Sequence, residues 1–420
     1  MLGLIKERGF SIASNLEEAG IAVINTCGFI QSAVQESIET VFEAVQRKNR
    51  SGLEKVFVTG CFVQRYGYRL RRLIPEVDGW LGTGEIYRIA ELLAQKSSPP
   101  SFFIGNPLFL ADHNTPRIQT TPFYTAYLKI SEGCAHSCSF CSIPAIRGHL
   151  RSRGIDSLVI EAREMASRGV KEINLVAQDT TMYGRDLEGE KGLEDLLERL
   201  LLIKGLRWIR ILYSHPFEIS DRLLKLIEME EAICPYLDLP LQHINKNILK
   251  AMGRRPHEES IAGLIERIKS VARRISIRTT LMVGFPGETD NIFRELYDFV
   301  ETAGFDHLGV FIYSPEKGTP AARLKGLPDR KIAEERLDAV MRLQADISKK
   351  NNQRLINRTV PVIIEGPLPE TDLLLSGRTA TMAPDVDGRV LINKGQGAVG
   401  EIARVLIREA HHYDLVGEIV

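Results

Sequence analysis

Three cysteines, Cys134, Cys138 and Cys141, lie close together in the stretch EGCAHSCSFCSIP. Thiolates are soft ligands that suit iron–sulfur clusters and zinc. A structural metal site normally takes four protein ligands, whereas a centre that performs chemistry keeps one position open. The triplet therefore predicts a 4Fe–4S cluster whose fourth iron is open to a substrate or cofactor. The alternative is a zinc knuckle completed by His136 or His149, which the spacing favours less.

The spacing Cys-x₃-Cys-x₂-Cys, with Phe140 before the last cysteine, resembles the signature of radical S-adenosylmethionine (SAM) enzymes. This resemblance implies that Cys134, Cys138 and Cys141 bind a 4Fe–4S cluster and that the amino and carboxylate groups of SAM chelate its open iron. It further implies that one electron cleaves the sulfonium to give a 5′-deoxyadenosyl radical, which abstracts hydrogen from an unreactive carbon. The cofactor carries the hard chemistry, and the protein positions it.

The pattern of apolar segments predicts three domains of α/β class. Residues 1–95 alternate strand-like and helix-like segments, as in a small parallel α/β domain, and residues 96–122 have the composition of a linker. Residues 123–354 contain six strand-like runs separated by helical segments, which predict a (βα)₆ partial TIM-type barrel with its chemistry at the carboxyl ends of the strands. Residues 355–420 hold short strand-like runs and predict a small β-barrel similar to a TRAM domain.

This domain order, with Cys27 in NTCGFI and Cys61 in TGCFVQRY, resembles the methylthiotransferases. The resemblance implies a second 4Fe–4S cluster, held by three cysteines of the N-terminal domain, of which Cys27 and Cys61 match two. Either cysteine alone would be interpreted as a packed core residue. The family's first ligand lies in a Gly-Cys-Pro-Lys-Asn segment after an opening strand, and we expect that strand and its ligand to be missing from this chain. Cys234 is expected in the core.

Four segments resemble the branch of this family that adds a methylthio group to the β-carbon of an aspartate in ribosomal protein S-twelve: LVAQDTTMYGRDL, LPLQHINKNILKAMGRR, RTTLMVGFPGET and GVFIYSPEKGTPA. The implied partners are this protein or the small ribosomal subunit, and a flavodoxin- or ferredoxin-type electron donor. Two alternatives stay open: the related branch that modifies a tRNA adenosine, and a non-catalytic paralogue that only binds the ribosomal protein. Residues 356–420 carry six Lys or Arg against nine Asp or Glu, and this negative balance suits a basic protein better than tRNA.

Polar residues and glycines near predicted strand ends are candidates for binding SAM. Side chains at the barrel mouth can hold the methionine or ribose part, a glycine lets the backbone approach a flat ligand, and an arginine fork suits a carboxylate. The ordinary alternatives are helix capping, a satisfied core histidine and structural ion pairs. The predicted cofactor-binding residues are Gln178, Asp179, Gln242, His243, Arg278, Gly284 and Arg147.

The overall composition excludes some classes of function. The chain has 54 basic and 54 acidic residues, which gives no support to bulk electrostatic binding of nucleic acid. No apolar run reaches the roughly 18 residues of a membrane-spanning helix. The opening MLGLIKERGF lacks the apolar core of a signal peptide. The sequence thus predicts a cytoplasmic protein with no membrane partner.

Overall fold

The computed structural model describes residues 1–50, 52–94, 100–189, 191–254, 259–369 and 371–420. Within these ranges no helix combines the length and the apolar character that crossing a membrane requires. The described chain divides into two compact units. The first comprises residues 1–120, 131–153 and 314–323, and the second comprises residues 121–130, 154–313 and 324–420.

Seventeen strands are formed by the described residues. In chain order they are β1 Ile21–Thr26, β2 Lys55–Gly60, β3 Gly79–Leu81, β4 Ser101–Phe103, β5 Thr125–Lys129, β6 Ser131–Glu132, β7 Arg151–Ser152, β8 Glu172–Val176, β9 Trp208–Ile211, β10 Tyr236–Gln242, β11 Ser276–Val283, β12 His307–Ile312, β13 Thr359–Leu368, β14 Thr371–Thr379, β15 Val390–Lys394, β16 Ile402–Ala410 and β17 Leu415–Ile419.

Thirteen α-helices accompany them in the same ranges, together with short 3₁₀ helices. The α-helices are α1 Leu2–Glu7, α2 Gln31–Arg50, α3 Cys61–Tyr66, α4 Arg69–Leu73, α5 Ile89–Ala94, α6 Ile143–Arg147, α7 Ile155–Ser167, α8 Leu193–Leu201, α9 Asp221–Met229, α10 Lys246–Ala251, α11 Ile261–Lys269, α12 Asp290–Ala303 and α13 Arg330–Gln353.

The first unit is built on a four-stranded sheet in the order β1-β2-β3-β4, and every pair in it is parallel. Strand β2 is apolar and almost wholly buried, as expected of a strand inside a covered parallel sheet. Helix α2 places Val34, Val41 and Val45 at helical spacing in the core that also contains Val56 and Val58 of β2. The predicted small parallel α/β domain is confirmed in outline.

The stretch from 96 to 122 is not entirely a linker. Its residues 96–99 lie outside the described residues, but Ser101–Phe103 forms β4, which pairs with β3 from Gly79↔Ser101 to Leu81↔Phe103. The linker prediction is therefore wrong at this strand. Strands of only three residues carry too little periodicity to be separated from the Pro- and Ser-rich composition around them.

The second unit contains the six predicted barrel strands. They form two parallel three-stranded sheets, β5-β8-β9 and β10-β11-β12, joined by an isolated bridge between Ile209 and Ile233. Alternate residues of β11, such as Ile277, Thr279 and Leu281, are buried, and the residues between them line the other face. The partial (βα)₆ barrel is confirmed, and so is the small terminal barrel, which closes in the order β13-β14-β15-β17-β16.

A buried ion network joins the terminal barrel to the (βα)₆ barrel. Glu172 of β8 accepts hydrogen bonds from Arg210 of β9 at 3.0 Å and from Arg378 of β14 at 2.7 Å. All three side chains are almost fully buried. Burial alone would raise the pKa of Glu172, but the two guanidinium groups outweigh it and hold that pKa at about 2. Glu172 is therefore ionised at neutral pH and pairs with both buried guanidinium groups, while Glu365 supplies a second carboxylate to Arg378.

Candidate functional site

The three-cysteine loop is closed at its base by a short antiparallel ladder. Strand β6 pairs with β7, and the Cys134 amide donates to the Gly148 carbonyl at 3.2 Å. Gly133 has a φ of +79°, and a Cβ there would lie 2.1 Å from the His149 carbonyl oxygen. Only glycine fits this close crossing, so the entry and exit of the loop are fixed side by side.

Two of the sulfurs in this loop accept backbone hydrogen bonds. The His136 amide donates to Cys134 Sγ and the Ile143 amide donates to Cys141 Sγ, both at 3.4 Å. Such N–H···S bonds favour a thiolate and tune an iron–sulfur cluster. Cys138 is partly exposed, as are the other two. The donor set of three thiols with amides directed at two of them fits a cluster.

Zinc and a 4Fe–4S cluster place different requirements on this loop. One zinc ion is held by ligands that meet at a single point, whereas the cysteines of a 4Fe–4S cluster bind different iron atoms. Among the residues that the structure describes, no group of three His, Cys, Asp or Glu side chains is arranged around one such point. The zinc knuckle stays the alternative prediction for this loop.

Cys27 and Cys61 follow the carboxyl ends of the neighbouring strands β1 and β2. The two strands end in register at Thr26↔Gly60, so both cysteines emerge at the same edge of the sheet. The backbone after Cys27 runs against that after Cys61, because a Cβ on Gly28 would lie 2.6 Å from the Phe62 backbone. Strand ends at a shared edge of a parallel sheet are where α/β proteins place ligands.

Arg147 lies beside Cys61, in the same unit of the fold. Its Nε donates to Cys61 Sγ at 3.2 Å, and its Nη1 lies 3.4 Å from the Glu132 carboxylate. Burial alone would lower the pKa of Arg147, but Glu132, Cys61 and Cys27 outweigh it and the pKa is raised. The predicted contact with the SAM carboxylate stays a prediction, while the observed partners are a thiol and a carboxylate.

A buried salt bridge fixes the loop that follows Cys27. Glu316 lies 2.9 Å from Arg65 and accepts a hydrogen bond from the Gln31 amide at 2.8 Å. Arg65 in turn donates to the Gly28 carbonyl at 2.8 Å. The sequence analysis missed both side chains, although TGCFVQRY and SPEKGTP contain them. The sequence shows that both residues are charged but not that they pair, because they lie 251 positions apart in the chain, from 65 to 316.

Neutralising Glu316 is expected to destabilise the first unit. Glu316→Gln leaves the buried Arg65 without its counter-charge, and we expect a loss of about 3 kcal/mol in the free energy of unfolding. Denaturant unfolding, with Glu91→Gln as the control, measures it. Glu91 pairs with Arg88 at the surface, so that variant should change the free energy of unfolding far less. Equal losses in the two variants would contradict the assignment of Glu316 as a buried clamp.

Gln178 and Asp179 follow β8 in the second unit, as the sequence predicted. Asp179 is buried and accepts from the Thr181 amide at 2.9 Å, which is a local turn bond. The side-chain oxygen of Gln178 is buried and has no hydrogen-bond partner within the described residues. A buried amide oxygen of this kind costs free energy unless something donates to it, which fits a ligand-binding role for Gln178.

Gln242 and His243 end β10 in a strained conformation. Gln242 has a φ of +68°, which is rare for a residue other than glycine, and it follows a register shift in the pairing with β11. His243 Nδ1 accepts from the Ile244 and Asn245 amides at 2.9 and 3.0 Å. Burial, and less strongly Arg336, lowers the pKa of His243 to about 4, so the ring is neutral and its proton lies on Nε2.

His243 Nε2 has no hydrogen-bond partner among the described residues, and the nearest carboxylate oxygen, on Glu288, is 3.9 Å away. His243 is fully buried. The sequence left two interpretations of His243, a cofactor-binding residue and a core histidine with both ring nitrogens hydrogen-bonded. The structure matches the second only in part, because Nδ1 is hydrogen-bonded and Nε2 has no partner among the described residues.

Packing against a neighbouring helix requires glycine at position 284. Its φ is +72°, and a Cβ would lie 2.7 Å from the Ala333 Cβ of α13. Its amide donates to the buried Glu288 carboxylate at 2.9 Å. Close approach to a helix accounts for this glycine, and contact with a flat cofactor stays a prediction.

Arg278 forms a structural ion pair, which was the alternative to cofactor binding in the sequence analysis. Its Nη1 donates to Asp387 of the terminal barrel at 2.6 Å, and its Nε lies 3.8 Å from Asp238. Asp387 also accepts from the Tyr236 hydroxyl at 2.8 Å and is fully buried. The observed partners give Arg278 a structural role in seating the terminal barrel, and its predicted role in cofactor binding is untested.

Three known families match successive parts of the chain. Residues 1–82 match the uncharacterized protein family UPF0004, residues 128–300 match the radical SAM superfamily, and residues 356–420 match the TRAM domain. The order of these families is the order of the three predicted domains.

Close relatives span the whole chain. A protein of Geotalea uraniireducens and one of Geobacter sulfurreducens are each 47% identical over 422 residues, covering 100% of this chain and 94% of the relative. A protein of Myxococcus xanthus is 44% identical over 420 residues, covering 100% of this chain and 88% of the relative. All three are named ribosomal protein uS12 methylthiotransferase RimO.

A solved structure with a similar fold is the radical SAM methyltransferase TsrM of Kitasatospora setae, which was determined with cobalamin and a 4Fe–4S cluster. The TM-score is 0.53 at 16% sequence identity, and the match covers 72% of this chain. This chain spans 64% of that protein, and at such low identity the likeness concerns the fold alone.

Proposed function

The chain belongs to the RimO family of radical SAM methylthiotransferases, and from this premise we propose that it transfers a methylthio group to an aspartate of ribosomal protein uS12. The observation that carries the proposal is the loop of Cys134, Cys138 and Cys141. It presents three thiols, two of them with backbone amides directed at sulfur, and supplies no fourth thiol. Such a loop suits a cluster that keeps one iron open.

We propose that the three-cysteine loop binds a 4Fe–4S cluster and, with it, SAM. When bound, this pair supplies the radical that activates the substrate carbon. Gln178, whose buried side-chain oxygen has no hydrogen-bond partner among the described residues, is one residue that we assign to SAM binding. Gln242, in its strained conformation at the end of β10, is the second residue that we assign to this role.

We propose further that Cys27 and Cys61 would supply two of the ligands of a second cluster, which, when bound, would supply the sulfur for the methylthio group. Two observations support this. The two cysteines follow neighbouring strand ends in register, and a cationic side chain is directed at one of them. We assign no residue of this chain as the third ligand.

The charge of the terminal barrel supports a basic protein substrate. Residues 356–420 carry an excess of three acidic side chains. Where the structure describes the side chains of this range, those of Arg378, beside Glu172, and Asp387, beside Arg278, are buried. Because one of them is basic and the other acidic, the excess of three remains on the rest of the range. A negative surface attracts a basic ribosomal protein and repels the phosphates of tRNA. The cytoplasmic location stays a prediction.

The proposal is tested by mass spectrometry of uS12 after incubation with the reconstituted chain, SAM, a reductant and a sulfide source under anaerobic conditions. We expect one aspartate to gain a methylthio group in place of a hydrogen. The Cys134→Ala chain is the matched control and should leave uS12 unmodified. A methylthiolated adenosine in tRNA, with uS12 unchanged, would favour the tRNA branch. Tight binding of uS12 without modification of either substrate would favour the non-catalytic paralogue.

A further inference from the structure

Helix α4 carries basic and apolar side chains at the surface of the first unit. Leu70 of this helix and Ile74, which follows it, are buried in the core beneath the four-stranded sheet. These two residues hold the helix in place and leave its other side chains outside. The exposed residues of the helix, with the tyrosine before it, form a surface that we call the arginine patch: Tyr68, Arg69, Arg71, Arg72 and Leu73.

The three arginines of this patch have no counter-charge. None of them forms an ion pair or a side-chain hydrogen bond with another residue that the structure describes. Residues 67–76 contain these three cations and a single carboxylate, that of Glu76, whereas the whole chain has equal numbers of basic and acidic residues. Arginine is enriched at protein interfaces, where lysine is depleted. The patch is therefore a local positive surface suited to an acidic protein.

The apolar members of the patch also suit contact with a protein. Leu73 is 70% exposed and Tyr68 is 64% exposed, both high for large apolar side chains. The Tyr68 ring stacks on Phe102 of the edge strand β4, with 4.4 Å between ring centroids, so its direction is fixed before any partner binds. A leucine offers nothing to the phosphates that dominate binding of RNA. The combination favours an acidic protein over RNA.

The arginine patch lies in the same unit as the three-cysteine loop. Helix α4 follows α3 after Gly67 and Tyr68, and α3, with six residues, is about 9 Å long. The first residue of α3, Cys61, accepts a hydrogen bond from Arg147, which ends the helix that follows the loop. The patch is thus one short helix away from the segment that carries the proposed ligands of the first cluster.

We propose that the arginine patch is the docking surface for an acidic one-electron donor protein of flavodoxin type. The inference rests on the proposed function, in which each cleavage of SAM consumes one electron, so that the donor loses the electron that the chain gains. Redox partners make small and transient contacts, and a patch of five residues fits an interface of that class. Complementary charge speeds the encounter of two such proteins.

The test compares two charge-matched variants of the full reconstituted chain. In the patch variant, all three arginines of the patch are changed: Arg69→Glu, Arg71→Glu and Arg72→Glu. In the control variant, three exposed basic residues of the second unit receive the same change of charge: Arg163→Glu, Lys204→Glu and Arg207→Glu. The Kd for flavodoxin is measured by surface plasmon resonance at low and at moderate ionic strength.

We expect the patch variant to raise the Kd for flavodoxin at least about tenfold at low ionic strength, and by a smaller factor when salt screens the charges. The control variant should stay close to the wild type. With flavodoxin as the only reductant, below saturation, the patch variant should form 5′-deoxyadenosine correspondingly more slowly. With dithionite, which needs no docking surface, it should match the wild type, and this result also shows that the variant is folded.

Equal affinities of the patch and control variants for flavodoxin would overturn the inference. An affinity for single-stranded RNA that depends on the patch, with none for flavodoxin, would also overturn it, because RNA would then be the occupant. A wild-type chain that forms no 5′-deoxyadenosine even with dithionite would contradict the proposed function instead. The comparison of affinities does not depend on that activity, so the two failures are distinguishable.

Discussion

The Cys138→Ser chain is expected to lose about four iron atoms and to form no 5′-deoxyadenosine from SAM. Cys138 is the middle ligand of the proposed cluster, and a serine hydroxyl is a much poorer ligand for iron than a thiolate. Iron analysis after anaerobic reconstitution and chromatography of the SAM products measure the two effects.

Cys234 provides the matched control for Cys138. It is buried in the second unit, where burial raises the pKa of its thiol to about 11, which favours the protonated thiol of a packed core cysteine. Cys234→Ala should keep its iron and its SAM cleavage and lose about 1 kcal/mol of stability. If Cys138→Ser retains all its iron, or Cys234→Ala loses it, the assignment of the triplet is wrong.

Glu172→Gln is expected to lower the free energy of unfolding of the second unit by about 3 to 5 kcal/mol. The substitution leaves the buried Arg210 without a counter-charge and removes one of the two carboxylates that contact Arg378. Arg378 also donates to Glu365 at 2.6 Å, so it keeps one partner, while Arg210 keeps the Ala380 carbonyl at 2.8 Å. Chemical denaturation of the two chains at neutral pH measures the loss.

The same carboxylate predicts how stability depends on pH. The pKa of Glu172 is about 2 in the folded chain, below its ordinary value of 4.5. The ionised Glu172 therefore contributes about 3 kcal/mol to the free energy of unfolding. This contribution is complete above about pH 4.5 and is lost as the pH falls towards 2. Glu172→Gln should lack this part of the pH dependence. Glu164→Gln, which removes an exposed pair with Arg168, should keep it. Identical acid unfolding of the wild type and Glu172→Gln would contradict the account.

The fold was predictable where segments were long and periodic. The alternation predicted for residues 1–95 contains helix α2 and strand β2, each of which has a clear apolar pattern. Strands β3 and β4 were not predicted, because three residues give no period, and their pairing depends on the strand beside them. The three-cysteine loop was predicted from spacing alone, since the ligands of such a cluster are local in sequence.

The partners of the arginines could not be predicted. Arg147 donates to a cysteine 86 positions away, and Arg278 pairs with an aspartate 109 positions away. A planar guanidinium suits a cofactor carboxylate and a buried aspartate equally well, so its type alone does not select between them. Only the fold brings Cys61 and Asp387 to these side chains.

The central claim is that the loop of Cys134, Cys138 and Cys141 holds a cluster at which SAM is cleaved. It is tested most directly by incubating the anaerobically reconstituted chain with SAM and dithionite and measuring 5′-deoxyadenosine. The account predicts its formation, and none without the reductant or in the Cys138→Ser chain. A wild-type chain that carries the iron of this loop and yet forms no 5′-deoxyadenosine would contradict it.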